Sequence, residues 1–401
     1  MKILVLTNMF PPHALGGYEL SCQDVVRRWR NRGHDVTVLT TTTRLSGVAP
    51  YGESADVHRS LEWYWADHHV LRPSPRQRLS IEHGNRRRLD SMLDQFKPDV
   101  VSVWAMGGMS MSLLSRCVQR SQPTVLVIED DWLVYGVGMD AWTAAWSRRP
   151  GWLGALAAHA TGIPTTAPAL PPSVTVAFAS DYLRRRAAHD GTITFTAADV
   201  VPLGVDPTDF PIRSPELRPW RGRLLCVGRI EPRKGFDVVV RALADLPDVT
   251  LELVGPGDEA HLDDLLSLAR ELGVIDALST SVVPRDQLAE VYAAADVLVF
   301  PSRWEEPFGL VPLEAMTQST PVIATRRGGS AEFLVDEVNC VEIANDSPSS
   351  VVAAVRRLAS DPPLRERLAR GGVETAAKYD VGDFADTLEQ VHLRAAGTSR
   401  R

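Results

Sequence analysis

Short apolar runs and longer helical stretches alternate along this chain. In the first half, buried strands are predicted at 2–7, 34–40, 98–103, 124–128 and 174–178. A helical pattern at 19–31 separates the first two. Such alternation predicts a parallel sheet with helices on both faces, which is a doubly wound α/β domain.

The second half repeats this pattern after a break. Residues 207–221 contain four prolines and several charges, and they predict a linker. Strands are then predicted from 223 and at 250–254, 297–300 and 322–325. The expected organisation is an N-terminal domain at 1–206, the linker at 207–221, a C-terminal domain at 222–380 and a tail at 381–401 with a last helix near 384–394.

One loop in the second domain combines a strand end, a helix start and two glutamates. Glu306 and Glu314 have seven residues between them, and an apolar run at 296–300 precedes them. Open α/β sheets bind ligands at the carboxyl ends of their strands, which is where Glu306 is expected. The N–H groups of residues 308–310 would point from the helix start at a bound anion, and a sugar phosphate fits that arrangement.

A second loop carries two cations. Residues 224–228 form an apolar strand ending at Gly228, and Arg229 and Lys234 follow before Gly235. Both cations are able to reach one diphosphate, Arg229 as a two-pronged donor and Lys234 as a mobile charge. The alternative is two solvated cations in a loop. The glutamate loop in the same domain favours the diphosphate.

Several motifs now occur in a fixed order over nearly the whole chain. They are Pro11–Glu19 with its Gly16–Gly17 pair, Arg32–Val38, Val201–Asp206, Gly228–Gly235, Glu306-x7-Glu314, and Gly328–Gly329 with Glu332. This set resembles the retaining glycosyltransferases of family 4, which have the GT-B fold. The resemblance implies two Rossmann-like domains with a cleft between them, and a nucleotide-sugar donor held mainly by the C-terminal domain.

The resemblance also implies roles for single residues. Arg229 and Lys234 would neutralise the diphosphate, Glu306 would accept hydrogen bonds from the transferred sugar, and Glu314 would bind the ribose hydroxyls. Further implied donor-binding residues are Gly16, Gly17, Gly228, Val283, Arg285, Phe308, Gly309 and Leu310. Val283 to Arg285 would read the base through the main chain. Fixed cations would stabilise the charge that develops on the leaving diphosphate.

The chain departs from the family pattern after the strand at 124–128. The family usually has His-Asp there, whereas this chain has Glu129, Asp130 and Asp131. One hypothesis is that Glu129 or Asp130 orients the acceptor hydroxyl or pairs with a cationic acceptor, such as an aminosugar. The other is that one acid caps the next helix while the others are solvated. His13, Asp130 and Trp132 are the expected acceptor-binding residues, and Glu129 is a candidate catalytic group.

Composition excludes some partners. The formal net charge is -7, which argues against a nucleic-acid binder. Four scattered cysteines predict reduced thiols in a cytoplasmic protein, and the apolar N-terminus is too short for a signal peptide. The arginine-rich stretch at 72–88 is expected to be a solvated helix face, so membrane contact is not expected.

The resemblance, together with these motifs, therefore implies a retaining glycosyltransferase of bacterial secondary metabolism that needs neither a metal nor a cofactor. It would move a sugar from a UDP- or GDP-sugar to a small soluble acceptor. The alternatives are transfer to a lipid or polysaccharide at the membrane face, and a nucleotide-sugar 2-epimerase of the same fold. A dehydrogenase would need a GxGxxG motif after the first strand, and a glycoside hydrolase would not need Arg229 and Lys234. The sequence predicts no particular oligomeric state.

Overall fold

A computed structural model describes residues 1–45, 55–66, 69–215 and 218–398. The chain divides into two compact units, which are Met1–Pro202 with Ala385–Arg401, and Leu203–Phe384. The second unit begins at Leu203, where the sequence predicted a boundary after residue 206, and it includes the segment predicted as a linker. Residues 216–217 of that segment and 399–401 of the predicted tail lie outside the described residues.

The first unit is built on a parallel sheet of seven strands in the order β3-β2-β1-β6-β7-β8-β9. Its central strands are buried at every position of β6 and β7, as expected for strands covered on both faces. A separate antiparallel pair, β4 and β5, lies outside this sheet. The strands are β1 Lys2–Leu6, β2 Asp35–Thr41, β3 Val57–Leu61, β4 Trp65–Ala66, β5 His69–Val70, β6 Val100–Val103, β7 Thr124–Ile128, β8 Val174–Phe178 and β9 Ala197–Val200.

Helices connect these parallel strands, as parallel pairing requires. The helices are α1 Gly17–Asn31, α2 Pro75–Phe96, α3 Met111–Gln119, α4 Trp132–Met139, α5 Ala141–Trp146, α6 Gly151–Thr161 and α7 Asp181–Asp190. Their ends follow ordinary capping chemistry. Ser74 accepts a hydrogen bond from the Gln77 N–H at the start of α2, and Gly162 ends α6 in the left-handed conformation.

The second unit is built on a parallel sheet of six strands in the order β12-β11-β10-β13-β14-β15. Its strands are β10 Arg223–Val227, β11 Thr250–Val254, β12 Leu278–Ser281, β13 Val297–Phe300, β14 Val322–Ala324 and β15 Val341–Glu342. Its helices are α8 Phe236–Leu243, α9 Glu259–Glu271, α10 Leu288–Ala294, α11 Leu310–Thr317, α12 Pro348–Ser360 and α13 Pro362–Ala376. Both units are therefore Rossmann-like α/β domains, as the sequence predicted.

The last helix, α14, spans Val381–Thr398, and from Ala385 onward it belongs to the first unit. The Trp29 indole N–H donates to the Ala385 carbonyl at 3.3 Å. His392 is fully buried with its Nε2 2.8 Å from the Ser102 hydroxyl, and burial lowers the pKa of His392 to about 4. Neutral His392 is thus part of the core, and the helix is an integral element of the first unit.

Within the described residues, none of the helices combines the length and the apolar composition that crossing a bilayer requires.

Candidate functional site

Two neighbouring strands of the second unit bring the predicted donor loops to one edge of their sheet. β10 and β13 pair in parallel, with Leu224 beside Val297 and Leu225 beside Leu298. The carboxyl ends of parallel neighbours lie at the same edge, so the loop after β10 and the loop after β13 are adjacent. This edge is where α/β sheets bind ligands.

Lys234 and Glu306 form an ion pair at this edge. The Lys234 Nζ lies 2.8 Å from the Glu306 Oε1, and their side chains are 16% and 7% exposed. The Ser302 hydroxyl donates to the same carboxylate oxygen at 2.7 Å. A lysine ammonium has three N–H donors, so Lys234 is able to hold Glu306 and still bind an anion.

Arg303 holds the two loops together. Its guanidinium donates two hydrogen bonds to the Asp237 carboxylate, at 2.6 and 2.8 Å, and another to the Pro232 carbonyl at 2.9 Å. Its backbone N–H donates to the Arg233 carbonyl at 2.9 Å. Partial burial alone would raise the pKa of Asp237, but the bonds from Arg303 hold this pKa below its usual value. The loop of Glu306 is therefore fixed against the loop of Lys234.

Two glycines make the close packing of these loops possible. Gly235 has φ +71°, and an added Cβ would lie 2.3 Å from the Pro301 carbonyl oxygen. Gly328 has φ +66°, and an added Cβ would lie 2.4 Å from the Glu306 carbonyl oxygen. Any side chain at either position would force the backbone of the glutamate loop to move.

The start of α11 follows the glutamate loop. Gly309 is its N-cap, and α11 begins at Leu310. The Phe308 ring is buried against Phe333 and Tyr379, with ring centroids 5.3 and 5.6 Å away. First-turn N–H groups have no acceptor within their own helix, so this anchored terminus can donate to a bound anion or sugar.

Glu314 lies inside α11 in a pocket of polar partners. The Tyr292 hydroxyl donates to its Oε2 at 2.7 Å, and the Arg285 Nη1 lies 3.6 Å from its Oε1. Burial raises the pKa of Glu314, while Arg285 and Tyr292 oppose the rise. Arg285 also donates to Asp209 at 2.9 Å. The structure thus brings Arg285 and Glu314 together.

Three other predicted donor residues lie at or near this edge. Gly228 ends β10 with its N–H bonded to the Val254 carbonyl at 2.9 Å, and the half-buried Arg229 follows it. Val283 is half-buried on the segment between β12 and α10. Sequence reasoning missed Ser302, Arg303, Tyr292 and the pairing of Asp209. The signal that could have found Arg303 is its position between β13 and the glutamate loop.

In the first unit, the two glycines predicted to bind the donor lie at the start of α1, and His13 comes shortly before them. Gly16 is the N-cap, and its N–H donates to the Glu19 Oε2 at 2.9 Å. An added Cβ at Gly17 would have nothing within 4 Å, so its surroundings are open. His13 is buried, and its Nδ1 accepts a hydrogen bond from the Leu45 N–H at 3.1 Å.

The acidic triplet follows β7, and its members have different partners. Glu129 is buried and accepts a hydrogen bond from the Ser21 hydroxyl of α1 at 2.8 Å. Asp130 accepts from the Tyr135 hydroxyl at 2.6 Å and from the Trp132 N–H at 2.9 Å. Asp131 lies 3.2 Å from the Arg186 Nε. The Ser21 bond places Glu129 beside the glycine-rich segment.

Like charges crowd this part of the first unit. Burial raises the pKa of Glu129 well above its usual value, and Asp130 and Glu19 raise it further, against the Ser21 bond. Burial likewise raises the pKa of Asp130 to about 6. Glu19 is itself buried. A proton or a cation would relieve the repulsion between these carboxylates. Sequence reasoning did not include Glu19 in this site.

Trp132 is not at an acceptor surface. The sequence assigned it there because it follows the triplet, but its ring is completely buried. Trp132 is the first residue of α4, and burial of its large apolar ring stabilises the fold. It therefore presents no exposed face on which a sugar could stack.

Among the residues that the structure describes, no group of three or more His, Cys, Asp or Glu side chains is arranged to hold a metal ion.

Comparison with known proteins gives two family matches. Residues 15–209 match the model of Glycosyltransferase Family 4, and residues 213–375 match that of Glycosyl transferases group 1. The chain is 27% identical over 397 residues to sulfoquinovosyl transferase SQD2 of Arabidopsis thaliana, covering 94% of this chain and 71% of the relative. It is 35% identical over 204 residues to D-inositol 3-phosphate glycosyltransferase of Segniliparus rotundus, covering 47% of this chain and 45% of that protein.

Solved structures share the fold. Sucrose-phosphate synthase from Thermosynechococcus elongatus has a TM-score of 0.73 at 18% identity, covering 99% of both chains. HepE from Anabaena, in complex with UDP, has a TM-score of 0.69 at 17% identity, covering 98% of this chain and 99% of its own. The two matched domains, the named relatives and the two Rossmann-like units together identify this protein as a glycosyltransferase of the GT-B type.

Proposed function

We propose that this protein transfers a sugar from a nucleotide-diphosphate sugar to a small soluble acceptor, with retention of configuration and without a metal ion. A role in bacterial secondary metabolism suits such an acceptor. The observation that carries the proposal is the Lys234–Glu306 ion pair of 2.8 Å at the shared edge of β10 and β13. It sets a cation and a carboxylate side by side, which is the arrangement that we expect a sugar diphosphate to require.

The diphosphate would bind to Arg229 and Lys234. Lys234 is only 16% exposed, and a charge in such a place interacts with an anion more strongly than an exposed one does. The N–H groups at the start of α11 would add donors. Together these groups would neutralise the diphosphate, which would make a divalent ion redundant.

The two glutamates would bind the two sugars of the donor. Glu306 would accept hydrogen bonds from hydroxyls of the transferred sugar, because its carboxylate is already fixed by Lys234 and Ser302. Glu314 would exchange the Tyr292 hydroxyl for the ribose hydroxyls. The base would lie near Val283 and Arg285.

The chemical step breaks the bond between the anomeric carbon and the β-phosphate oxygen. Electrons of that bond leave with the nucleoside diphosphate, and positive charge develops on the sugar. The acceptor oxygen would then bond to the anomeric carbon from the face that the diphosphate leaves, and its proton would pass to the departing diphosphate oxygen. Arg229, Lys234 and the first turn of α11 would stabilise the leaving group more as its charge grows, which lowers the barrier.

The first unit would supply the acceptor site. Glu129 is buried and Asp130 is half-buried, and desolvation and neighbouring carboxylates raise the pKa of both. A cationic acceptor, such as an aminosugar or aminocyclitol, would relieve this repulsion. His13 lies on the same glycine-rich segment as Gly16 and Gly17, which would approach the donor. Trp132 has no part in this proposal because its ring is buried.

One further observation indicates which nucleotide to test first. HepE, which shares the fold, was solved with UDP and with UDP-glucose. A uridine donor is therefore the first to test, and GDP-sugars are the second.

A second candidate is transfer to a lipid or polysaccharide acceptor at a membrane face. It is favoured by the exposed apolar side chains of α6, of which Trp152 is 64% exposed and Leu156 59% exposed.

A donor screen tests the proposal. The protein is incubated with single UDP-, GDP-, ADP- and dTDP-sugars, and slow release of nucleoside diphosphate is measured. One donor should be hydrolysed, and Arg229→Ala should slow this by at least about tenfold, while the exposed Arg270→Ala should not. An epimerised sugar without transfer would indicate the 2-epimerase, and no turnover of any donor would contradict the proposal.

The metal-free mechanism has its own test. EDTA should leave the rate of transfer unchanged, because Arg229 and Lys234 carry the compensating charge. Loss of activity that Mg²⁺ or Mn²⁺ restores would overturn this part of the proposal.

A further inference from the structure

We propose that the first unit carries a docking surface for an anionic lipid bilayer, centred on α6. The surface, called here the α6 face, consists of four exposed apolar side chains and four exposed arginines. They are Val70, Leu71, Trp152, Leu156, Arg72, Arg76, Arg148 and Arg149. This inference does not rest on glycosyl transfer.

Helix α6 exposes the side chains that a soluble helix normally buries. Gly154 is its one buried residue, and an added Cβ there would lie 2.9 Å from the Thr165 Oγ1, so this side packs inward. Trp152 and Leu156 lie four residues apart on one helix face and are 64% and 59% exposed. Scattered single apolar residues are ordinary on surfaces, but an adjacent Trp and Leu on an apolar helix indicate a partner.

A buried cluster connects α6 to the second apolar segment of the face. Tyr64, Trp142 and Ile163 pack together, so the segment before α2, helix α5 and the end of α6 meet there. The Leu71 N–H donates to the Tyr64 carbonyl at 2.8 Å. Val70 and Leu71 are each 42% exposed. The two apolar segments therefore belong to one region of the first unit.

The charge of this region has one sign. Residues 141–180 contain no Asp or Glu, and residues 69–81 contain none either. The next acid along α2, Glu82, is fully buried. The four arginines of the α6 face are all exposed, and the Arg149 guanidinium lies 4.8 Å from the centroid of the Trp146 ring. Cations beside apolar side chains complement a surface of anionic head groups over hydrocarbon.

The charge of the α6 face and the length of α6 favour a bilayer surface over a second copy of the chain. A second copy would set identical arginines against each other in a two-fold contact, which is repulsive. Helix α6 has 11 residues and is about 16 Å long, which is too short to cross the ~30 Å of a hydrocarbon core. It would therefore lie in the interface, with Trp152 at the level of the head groups.

The sequence alone favoured no membrane contact, because Pro73, Pro75, Glu82 and Asp90 occur among or beside the arginines at 72–88. The structure adds the exposed apolar side chains of the α6 face. A docked protein would meet acceptors at the bilayer, so the α6 face also supports the second candidate function.

Co-sedimentation with vesicles tests the docking surface. The full chain is mixed with vesicles of phosphatidylcholine alone or with added phosphatidylglycerol. Affinity should be at least about tenfold higher for the anionic vesicles, and it should fall in high salt. Trp152→Ser with Leu156→Ser, and Arg148→Gln with Arg149→Gln, should each lower the affinity on the order of tenfold.

Matched controls come from the second unit, where Val282 is 72% exposed and Arg270 is exposed. Val282→Ser and Arg270→Gln should bind vesicles as the unaltered chain does. Equal binding to neutral and anionic vesicles, or α6-face variants that bind normally, would overturn the proposal. So would a dimer in sedimentation velocity that either α6-face double variant abolishes, since the face would then belong to a second copy. The arginine pair keeps the test decisive if the Trp152 variant fails to fold.

Discussion

The two candidate sites use charge in opposite ways. In the second unit each site carboxylate has a cation, since Glu306 pairs with Lys234 at 2.8 Å and Glu314 lies 3.6 Å from Arg285. In the first unit, burial and the charge of Asp130 raise the pKa of Glu129, and burial and the charges of Asp131 and Glu19 raise the pKa of Asp130.

The difference indicates what each site binds. Lys234 is able to keep its bond to Glu306 and still donate to a diphosphate, and the carboxylate of Glu306 has further lone pairs for a sugar hydroxyl. The carboxylates of Glu129 and Asp130 have raised pKa values and accept hydrogen bonds from neutral groups, namely the hydroxyls of Ser21 and Tyr135 and the Trp132 N–H. Such carboxylates gain most from a proton or a cation. The comparison therefore predicts an anion-binding edge in the second unit and a proton- or cation-binding edge in the first.

The largest expected effect is that of removing the cation from the paired edge. Lys234→Ala should lower kcat/KM for the donor by at least about tenfold, because a charge-assisted contact is lost and Glu306 is left without its ion pair. Lys378→Ala, at an exposed position of the same unit, is the matched control and should behave as the unaltered chain. An unchanged kcat/KM in Lys234→Ala would remove the diphosphate assignment.

Replacing the paired carboxylate tests which part of the donor Glu306 binds. Glu306→Gln should reduce kcat by about tenfold while leaving the affinity for free nucleoside diphosphate intact, since its proposed partner is the sugar. Steady-state kinetics and calorimetry measure the two quantities. Glu305→Gln is the neighbouring control, because Glu305 is partly exposed. If diphosphate affinity falls as much as donor affinity, Glu306 has been assigned to the wrong part of the donor.

Replacing the carboxylates of Glu129 and Asp130 by amides tests whether they bind a cationic acceptor. With a cationic acceptor, Glu129→Gln with Asp130→Asn should raise the acceptor KM several-fold, weaken its dependence on salt and spare donor hydrolysis. If the acids instead take the acceptor's proton, kcat should fall and KM should hardly move. Preference for neutral or acidic acceptors in a screen would rule out the cationic acceptor.

The smallest expected effect concerns stability. Asp130 has a pKa of about 6 in the folded chain, against an ordinary value of about 3.9. Between these values the folded chain keeps a proton that the unfolded chain has lost, so stability falls as pH rises, and the loss is complete above pH ~6. Asp130→Asn should thus raise Tm at pH 8 but not at pH 4. Asp264→Asn, at an exposed position, should show no such difference. An equal change in Tm at pH 4 and pH 8 would contradict the raised pKa of Asp130.

The sequence predicted the central strands and missed the edges. The strands at 124–128, 174–178, 250–254 and 297–300 were predicted at the bounds that the structure has. The missed strands β3, β9, β12 and β15 are the edge strands of the two sheets. Edge strands are partly exposed, as in β9, so they lack the continuous apolar run by which a buried strand is recognised.

In the candidate sites, too, the sequence predicted what neighbouring residues determine and missed the contacts between distant segments. The nearness of Lys234 and Glu306 followed from motifs at the ends of neighbouring strands. The partners of these residues did not, because Arg303 with Asp237, and Tyr292 with Glu314, meet only when separate segments fold together. Trp132 was misjudged because burial is not a property of the residues next to it in sequence.

The most direct test of the central claim is a calorimetric titration of the chain with nucleoside diphosphates and the matching monophosphates, starting with UDP and UMP. We expect the diphosphate to bind at least about tenfold more tightly than the monophosphate, and we expect Lys234→Ala to abolish this advantage. If the two nucleotides bind equally well, or if the advantage survives in Lys234→Ala, the edge of β10 and β13 does not bind the diphosphate.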